Sequence, residues 1–181
     1  MLRHMIQHVN DESAITRSMT PIADAAAVTI VAYRPAHRTD FERLNRAWLA
    51  ELWVEPRDEQ VFADPEAAYA PGGGAVFSAL YDGRVVGTVA LRRESDAVWE
   101  LCKLAVDERE RGRGIGAALV HAVIDAARAR GARTLFLTTN TRLAAAVRLY
   151  RRMGFEPCTE RAHPDRTRAN LEMTLTLGTV E

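Results

Sequence analysis

The residues with the most chemical content lie in one hexapeptide, Arg-Gly-Arg-Gly-Ile-Gly at 111–116, set between the apolar run Leu101 to Val106 and a helical pattern that follows it. A strand that turns through glycines into a helix leaves several backbone N–H groups pointing outward at the positive end of the helix dipole, which makes a seat for an anion. Gly112, Gly114 and Gly116 carry no Cβ, so a pyrophosphate can approach the backbone closely. The amides of Gly112, Arg113, Gly114, Ile115, Gly116 and Ala117 can donate to it. Arg111 and Arg113 add positive charge. Two other phosphate readers do not fit: a nicotinamide-dinucleotide site needs GxGxxG with an acidic residue about 20 positions on, and a nucleotide P-loop needs GK[ST].

The elements that position this turn follow from periodicity. Thr29 to Arg34 reads as a strand stopped by Pro35, and Asp40 to Leu52 as a helix with Phe41, Leu44, Trp48 and Leu52 on one stripe. A second helical stretch covers Arg57 to Tyr69, interrupted near Pro65. The turn Pro71 to Gly74 leads into Ala75 to Tyr81, and the Asp82, Gly83 pair makes a hairpin to Val85 to Arg92. Val98 to Val106 is nearly apolar on both faces and is expected at the centre of its sheet. Beyond the glycines, Ile115, Leu119, Val123 and Ala127 mark a helix ended by Gly131. Thr134 to Thr139 is a strand, Leu143 to Met153 a helix ended by Gly154, and Phe155 to Arg161 and Leu171 to Leu177 are the last strands. This order makes one mixed α/β domain from residue 28 to 181, with three antiparallel strands before the glycine turn. Residues 1 to 27 show little periodicity and read as a flexible leader, within which Met19 is an alternative start.

The spacing Arg111, Gly114, Gly116 after a strand ending Leu104, Ala105, Val106 resembles the acyl-CoA-binding motif of the GNAT family of N-acetyltransferases. Leu149, Tyr150, then Gly154, Phe155 resembles that family's second signature, and the two stand in the family's order across residues 28 to 177. The resemblance implies a central, mixed but mostly antiparallel sheet with helices on both faces. It also implies acetyl-CoA as cosubstrate, with its pantetheine bonded by backbone groups of Leu104, Ala105 and Val106, and Tyr150 as hydrogen-bond donor to the departing thiolate. Full proton transfer from a tyrosine to a thiolate is uphill by about 2 kcal/mol at reference pKa values, so donation is the role expected. The alternative is a tyrosine simply packed between helix and sheet. Two positions depart from the pattern. The strand after the cofactor helix closes Leu137, Thr138, Thr139, Asn140 without the family's Glu, and Leu143 stands where many members have Asn. Asn140 either caps the following helix or reaches the cofactor.

Attack on a thioester needs a neutral amine, which at pH 7 costs about 1.2 kcal/mol for an α-amine and about 4.6 for a lysine side chain. Glu100, a carboxylate in an otherwise apolar strand, is the candidate base, directly or through water. A glutamate paired with Arg92 or Arg93 would look the same in sequence. Lys103, the only lysine, has the opposite strand parity to Glu100 and should face the other side of the sheet in a salt-bridge or snorkelling role. Trp48, Trp53 and Tyr69 are either lining for an acceptor or ordinary core. Glu51, Glu55, Asp58 and Glu59 either attract an amine or form a solvated helix face. The polar segment His163 to Asn170, with Arg166 and Arg168, is placed to close over a substrate and bind a carboxylate.

The 181 residues carry no net charge, but the first hundred sum to −5 and the rest to +5. That split disfavours a nucleic-acid binder, despite arginine clusters at 109–113, 128–133 and 148–152, and fits one face for an anionic cofactor and another for a cationic substrate. It is equally the pattern of two solvated surfaces. Cys102 and Cys158 are too few for a disulfide framework and belong to no metal-ligand pattern, and no apolar run approaches a membrane span. A cytoplasmic enzyme without a structural metal, membrane or nucleic-acid partner is expected. It would pass acetyl directly to a primary amine of a small molecule or peptide, since neither cysteine has an activating context for a covalent route. The rival is a non-catalytic CoA-binding regulatory module. A homodimer formed by β-pairing of the last strands is an arrangement this fold type permits.

Overall fold

The computed structural model describes residues 28–158 and 168–178; the leader and the first part of the His163 to Asn170 segment lie outside the described residues. Seven strands form one sheet in the order β1-β2-β3-β4-β5-β7-β6. Their ranges are β1 Thr29–Ala32, β2 Ala75–Tyr81, β3 Arg84–Arg93, β4 Val98–Val106, β5 Thr134–Thr139, β6 Glu156–Cys158 and β7 Leu171–Thr176. Every neighbouring pair is antiparallel except β4 with β5, which the helix between them makes parallel. The helices are α1 Arg38–Leu49, α2 Pro56–Ala63, α3 Pro65–Tyr69, α4 Ile115–Ala129 and α5 Ala144–Arg152.

The two faces of the sheet carry separate cores. On one, α4 presses Ile115, Leu119, Val120, Val123, Ile124 and Ala127 onto Val89, Leu91, Trp99 and Leu101, and α5 adds Tyr150. On the other, Phe41 and Leu49 of α1, Phe62 of α2 and Tyr69 of α3 cover Val76 and Ala90. At about 1.5–3 kcal/mol for each fully buried large apolar side chain, these two layers are the main force holding the sheet. Proline sits at the first position of both α2 and α3, where its missing N–H costs nothing, and Pro65 is the break expected between them. The first helix starts two residues earlier than expected and ends at Leu49, and β1 stops at Ala32 rather than Arg34.

One irregularity in β4 corrects the expected parity of Lys103. Ala90 pairs with Cys102, but Thr88 pairs with Ala105, so Lys103 and Leu104 stand opposite the single residue Val89. Lys103 takes up the extra length with φ of 53°, a left-handed value rare for a side chain that is not glycine. The bulge turns Lys103 onto the face of α1 and α2, where its ammonium lies 5.4 Å from the centre of the Phe62 ring. It therefore shares a face with Glu100 instead of opposing it. A buried polar chain holds the bulge: the Thr88 hydroxyl donates to the Lys103 carbonyl at 3.2 Å, and Asn45, fully buried, lies 3.5 Å from that hydroxyl while accepting from the Trp48 indole at 3.2 Å.

Candidate active site

Strands β4 and β5 are paired from Val98 with Thr134 to Glu100 with Phe136, and then part, although β4 runs on to Val106 and β5 to Thr139. The bend that a bulge imposes on its strand accounts for the divergence. Into the gap opens a cavity of ≈ 730 Å³, lined at one end by the glycine turn and at the other by α1, α2 and α3. That is within the ~300–1,000 Å³ of a small-molecule site.

The outer end is the glycine turn. Gly112 and Gly114 have φ of 82° and 79°, and a Cβ on either would meet nothing within 4 Å. The turn is therefore a backbone surface facing open space, with Gly114 as the N-cap of α4. Arg111 lines the cavity, as do Gly112, Gly114, Ile115, Gly116 and Ala117. Arg113 does not: it turns to Tyr81, with its guanidinium 5.2 Å from that ring and 3.0 Å from Glu110. Arg142 and Arg152 also line the cavity, a contribution that sequence spacing did not mark.

Leu104, Ala105 and Val106 line the middle. Ala105 and Val106 pair with β3 along one edge, and their other edge faces the gap where β5 has departed. Thr138, Thr139 and Asn140 form the opposite wall. Asn140 does not cap α5, whose N-cap is Leu143. Its carbonyl oxygen accepts from the Arg142 amide at 2.9 Å and its NH₂ donates to the Arg168 carbonyl at 2.8 Å.

Tyr150 lies at the inner end, 6% exposed and packed edge-on against Phe155 with ring centres 5.9 Å apart. Burial pushes its hydroxyl well above the usual tyrosine range, and the nearby Cys102 adds to the effect. The phenol is thus a neutral donor at any ordinary pH. Glu100, 2% exposed, also lines the cavity, but its carboxylate is 2.5 Å from the Arg92 guanidinium directly across the β3–β4 ladder. The ion pair anticipated as the alternative reading is present.

The acidic run divides. Glu51 and Glu55 line the cavity, Glu59 turns outward to Arg46 at 2.5 Å, and Asp58 is 1% exposed. Asp58 sits at the third position of α2 and accepts from the Glu55 amide at 2.9 Å in a capping box. Its two carboxylate oxygens also take hydrogen bonds from Lys103 and Arg168. Burial alone would raise the Asp58 pKa; the bonds from Arg168 and Lys103 outweigh it and hold the carboxyl well below the usual range. Trp48 and Tyr69 line the cavity, whereas Trp53 is 47% exposed and does not. His163 and Arg166 lie outside the described residues.

Residues 38–155 match the model of the acetyltransferase (GNAT) family. The chain is 40% identical over 95 residues to the N-acetylaspartate synthetase of Homo sapiens, a match covering 51% of this chain and 32% of that protein. It thus spans about a third of that relative's length. It is 32% identical over 149 residues to an uncharacterized N-acetyltransferase of Mycobacterium tuberculosis, covering 81% of this chain and 82% of that one. Among solved structures, a GNAT-family acetyltransferase from Staphylococcus aureus superposes with a TM-score of 0.77 at 21% identity, covering 84% of this chain and all of that one. An acetyltransferase from Salmonella typhimurium, determined with its cofactor acetyl-CoA, does so with a TM-score of 0.65 at 21% identity, covering 84% and 95%. With its glycine seat, parted strands and buried tyrosine in one cavity, and a family match across the residues that build them, the chain belongs to the GNAT family of acetyltransferases.

Proposed function

We propose that this chain transfers acetyl from acetyl-CoA directly to the primary amine of a small amino acid, with Tyr150 as donor to the departing sulfur and Glu100 as the base. The observation that carries it is the continuity of one cavity from the glycine seat, past the unpaired edge of β4, to Tyr150. Acetyl-CoA supplies an activated acyl group on a thiolate leaving group. The residues present fit it: the Gly112 to Ala117 backbone and Arg111 for phosphates, and the edge of Leu104, Ala105 and Val106 for pantetheine amides. Asn140 stands on the wall opposite that edge.

Tyr150 gives a neutral O–H at a buried place on the cavity wall, where a hydrogen bond to developing negative charge is worth most. Glu100, oriented by Arg92, takes the amine's proton through water. The amino-acid acceptor is supported by the name of the human relative. A cytosolic setting is supported by two free cysteines, and no helix among the described residues is long and apolar enough to cross a membrane.

The test is thiol release from acetyl-CoA across an amine panel, with Arg111→Glu and Arg113→Glu in parallel. The first is expected to raise the KM for acetyl-CoA about tenfold, a loss of about 1.4 kcal/mol, and the second distinctly less, because Arg113 is turned to Tyr81. Tight CoA binding with no thiol release from any amine would instead identify a CoA-binding module.

A further inference from the structure

We propose that Lys103 and Arg168, aimed by the buried carboxylate between them, bind the carboxylate of the amino-acid acceptor at the inner end of the cavity. This rests on the acetyl-transfer reading above and assigns the residues that select its acceptor.

The backbone goes to unusual lengths to bring Lys103 there. An unbulged strand would point it to the α4 side; instead a two-for-one bulge and a φ of 53° turn it toward α2, a conformation costing of order 1 kcal/mol. Its side chain is 10% exposed, between the Phe62 ring and Asp58, and it lines the cavity. Arg168 arrives from the other wall. The Asn140 side chain holds its carbonyl, while the next residues are tied to the end of β5 by the Asn170 amide donating to the Thr139 carbonyl at 3.0 Å. The Thr141 amide donates to the Asn170 side chain at 2.8 Å. From that anchored backbone the guanidinium crosses to α2, lying 5.8 Å from the Trp48 ring centre and 3.5 Å from Glu55.

Donor counting leaves both groups able to take a ligand. Among the described residues, the Lys103 ammonium gives one of its three N–H groups to Asp58, and the Arg168 guanidinium gives three of its five to Asp58 and the Trp53 carbonyl, with Glu55 3.5 Å away. Two cations share the fully buried Asp58. Burial lowers the pKa of the Lys103 ammonium despite that partner, with Arg168 adding to the lowering. Lys103 and Tyr150 both line the one cavity.

The test uses the full chain and thiol release with L-aspartate, L-alanine, L-alaninamide and putrescine. The amino acids are expected to show an acceptor KM about tenfold or more below that of the carboxylate-free amines. Lys103→Met should raise the amino-acid KM by a similar factor while the KM for acetyl-CoA stays constant, and Lys103→Arg should restore most of the loss. Equal KM values for L-alanine and L-alaninamide, or an unchanged acceptor KM in Lys103→Met, would overturn the assignment while thiol release itself upheld acetyl transfer. Absence of thiol release from every amine would overturn both. Should Lys103→Met fail to give a cooperative thermal transition, the comparison of L-alanine with L-alaninamide on the unaltered chain decides the question alone.

Discussion

Tyr150→Phe is expected to lower kcat about a hundredfold, with the KM for acetyl-CoA changed less than about twofold, in keeping with removal of one donor aimed at developing charge. The substitution is clean because Phe keeps the ring against Phe155 and removes only the hydroxyl. The separation of kcat from KM follows from where the charge arises. The sulfur is an uncharged thioester when the donor binds and becomes a thiolate only as the acyl group leaves, so the O–H contributes little to ground-state affinity. Burial raises the hydroxyl's pKa, and the parent activity should accordingly show no loss from tyrosine ionisation up to about pH 10, the value for a free phenol. Steady-state kinetics on an accepted amine checks both points; unchanged turnover in the variant would remove Tyr150 from the chemistry.

Asp58→Ala should be the most destabilising change at a charged position in the cavity, by about 3 kcal/mol, because it takes from Lys103 and Arg168 the buried carboxylate that both of them bond and leaves Glu55, 3.5 Å from Arg168, as the counter-charge. Replacing either cation alone should cost less, since Asp58 keeps the other. Urea denaturation of the three variants orders these effects, and a loss below about 1 kcal/mol for Asp58→Ala would mean the cluster contributes nothing that solvent could not replace. The pH dependence has a definite sign. The Asp58 pKa is depressed in the folded chain, so in acid the unfolded chain binds this proton more readily. The stabilisation is complete above the unfolded value of about 3.9 and fades as pH falls through and below it. Asp58→Asn should flatten that part of the stability curve between about pH 5 and pH 3.

What the sequence made legible was local. Val98 to Val106 and Thr134 to Thr139 have the boundaries that their apolar runs suggest, because β-branched and aromatic residues bounded by turn signals mark a central strand without outside help. The glycine turn and Tyr150 were legible for the same reason: each is a motif whose meaning lies within a few residues. Lys103 was misplaced because alternation presumes an unbroken pleat, and no residue near it announces a bulge; the partner that holds it, Thr88, is in another strand. Asp58 was indistinguishable by type from Glu59, and only its third position in a capping box hinted that it was committed. Its bond to Arg168 spans 110 residues and has no local signature. Arg113 shows the same limit: its type suggested an anion contact, while its partner, Tyr81, comes from elsewhere in the chain.

The three residue pairs that join β4 to β5 make a short seam between two leaves of the sheet, and one apolar core under α4 spans both. Four strands and α1 to α3 belong to one leaf and three strands to the other. A ligand lying along the open part of the seam, bonded to the edge of β4 and touching the end of β5, would act as a splint between them. Its affinity then includes whatever it costs to hold the leaves at the reacting angle, and the chain's thermal stability becomes a function of donor concentration, rising by about 2.7 kcal/mol at a hundredfold excess over Kd. In such a molecule a bound donor would also be a temporary part of the scaffold.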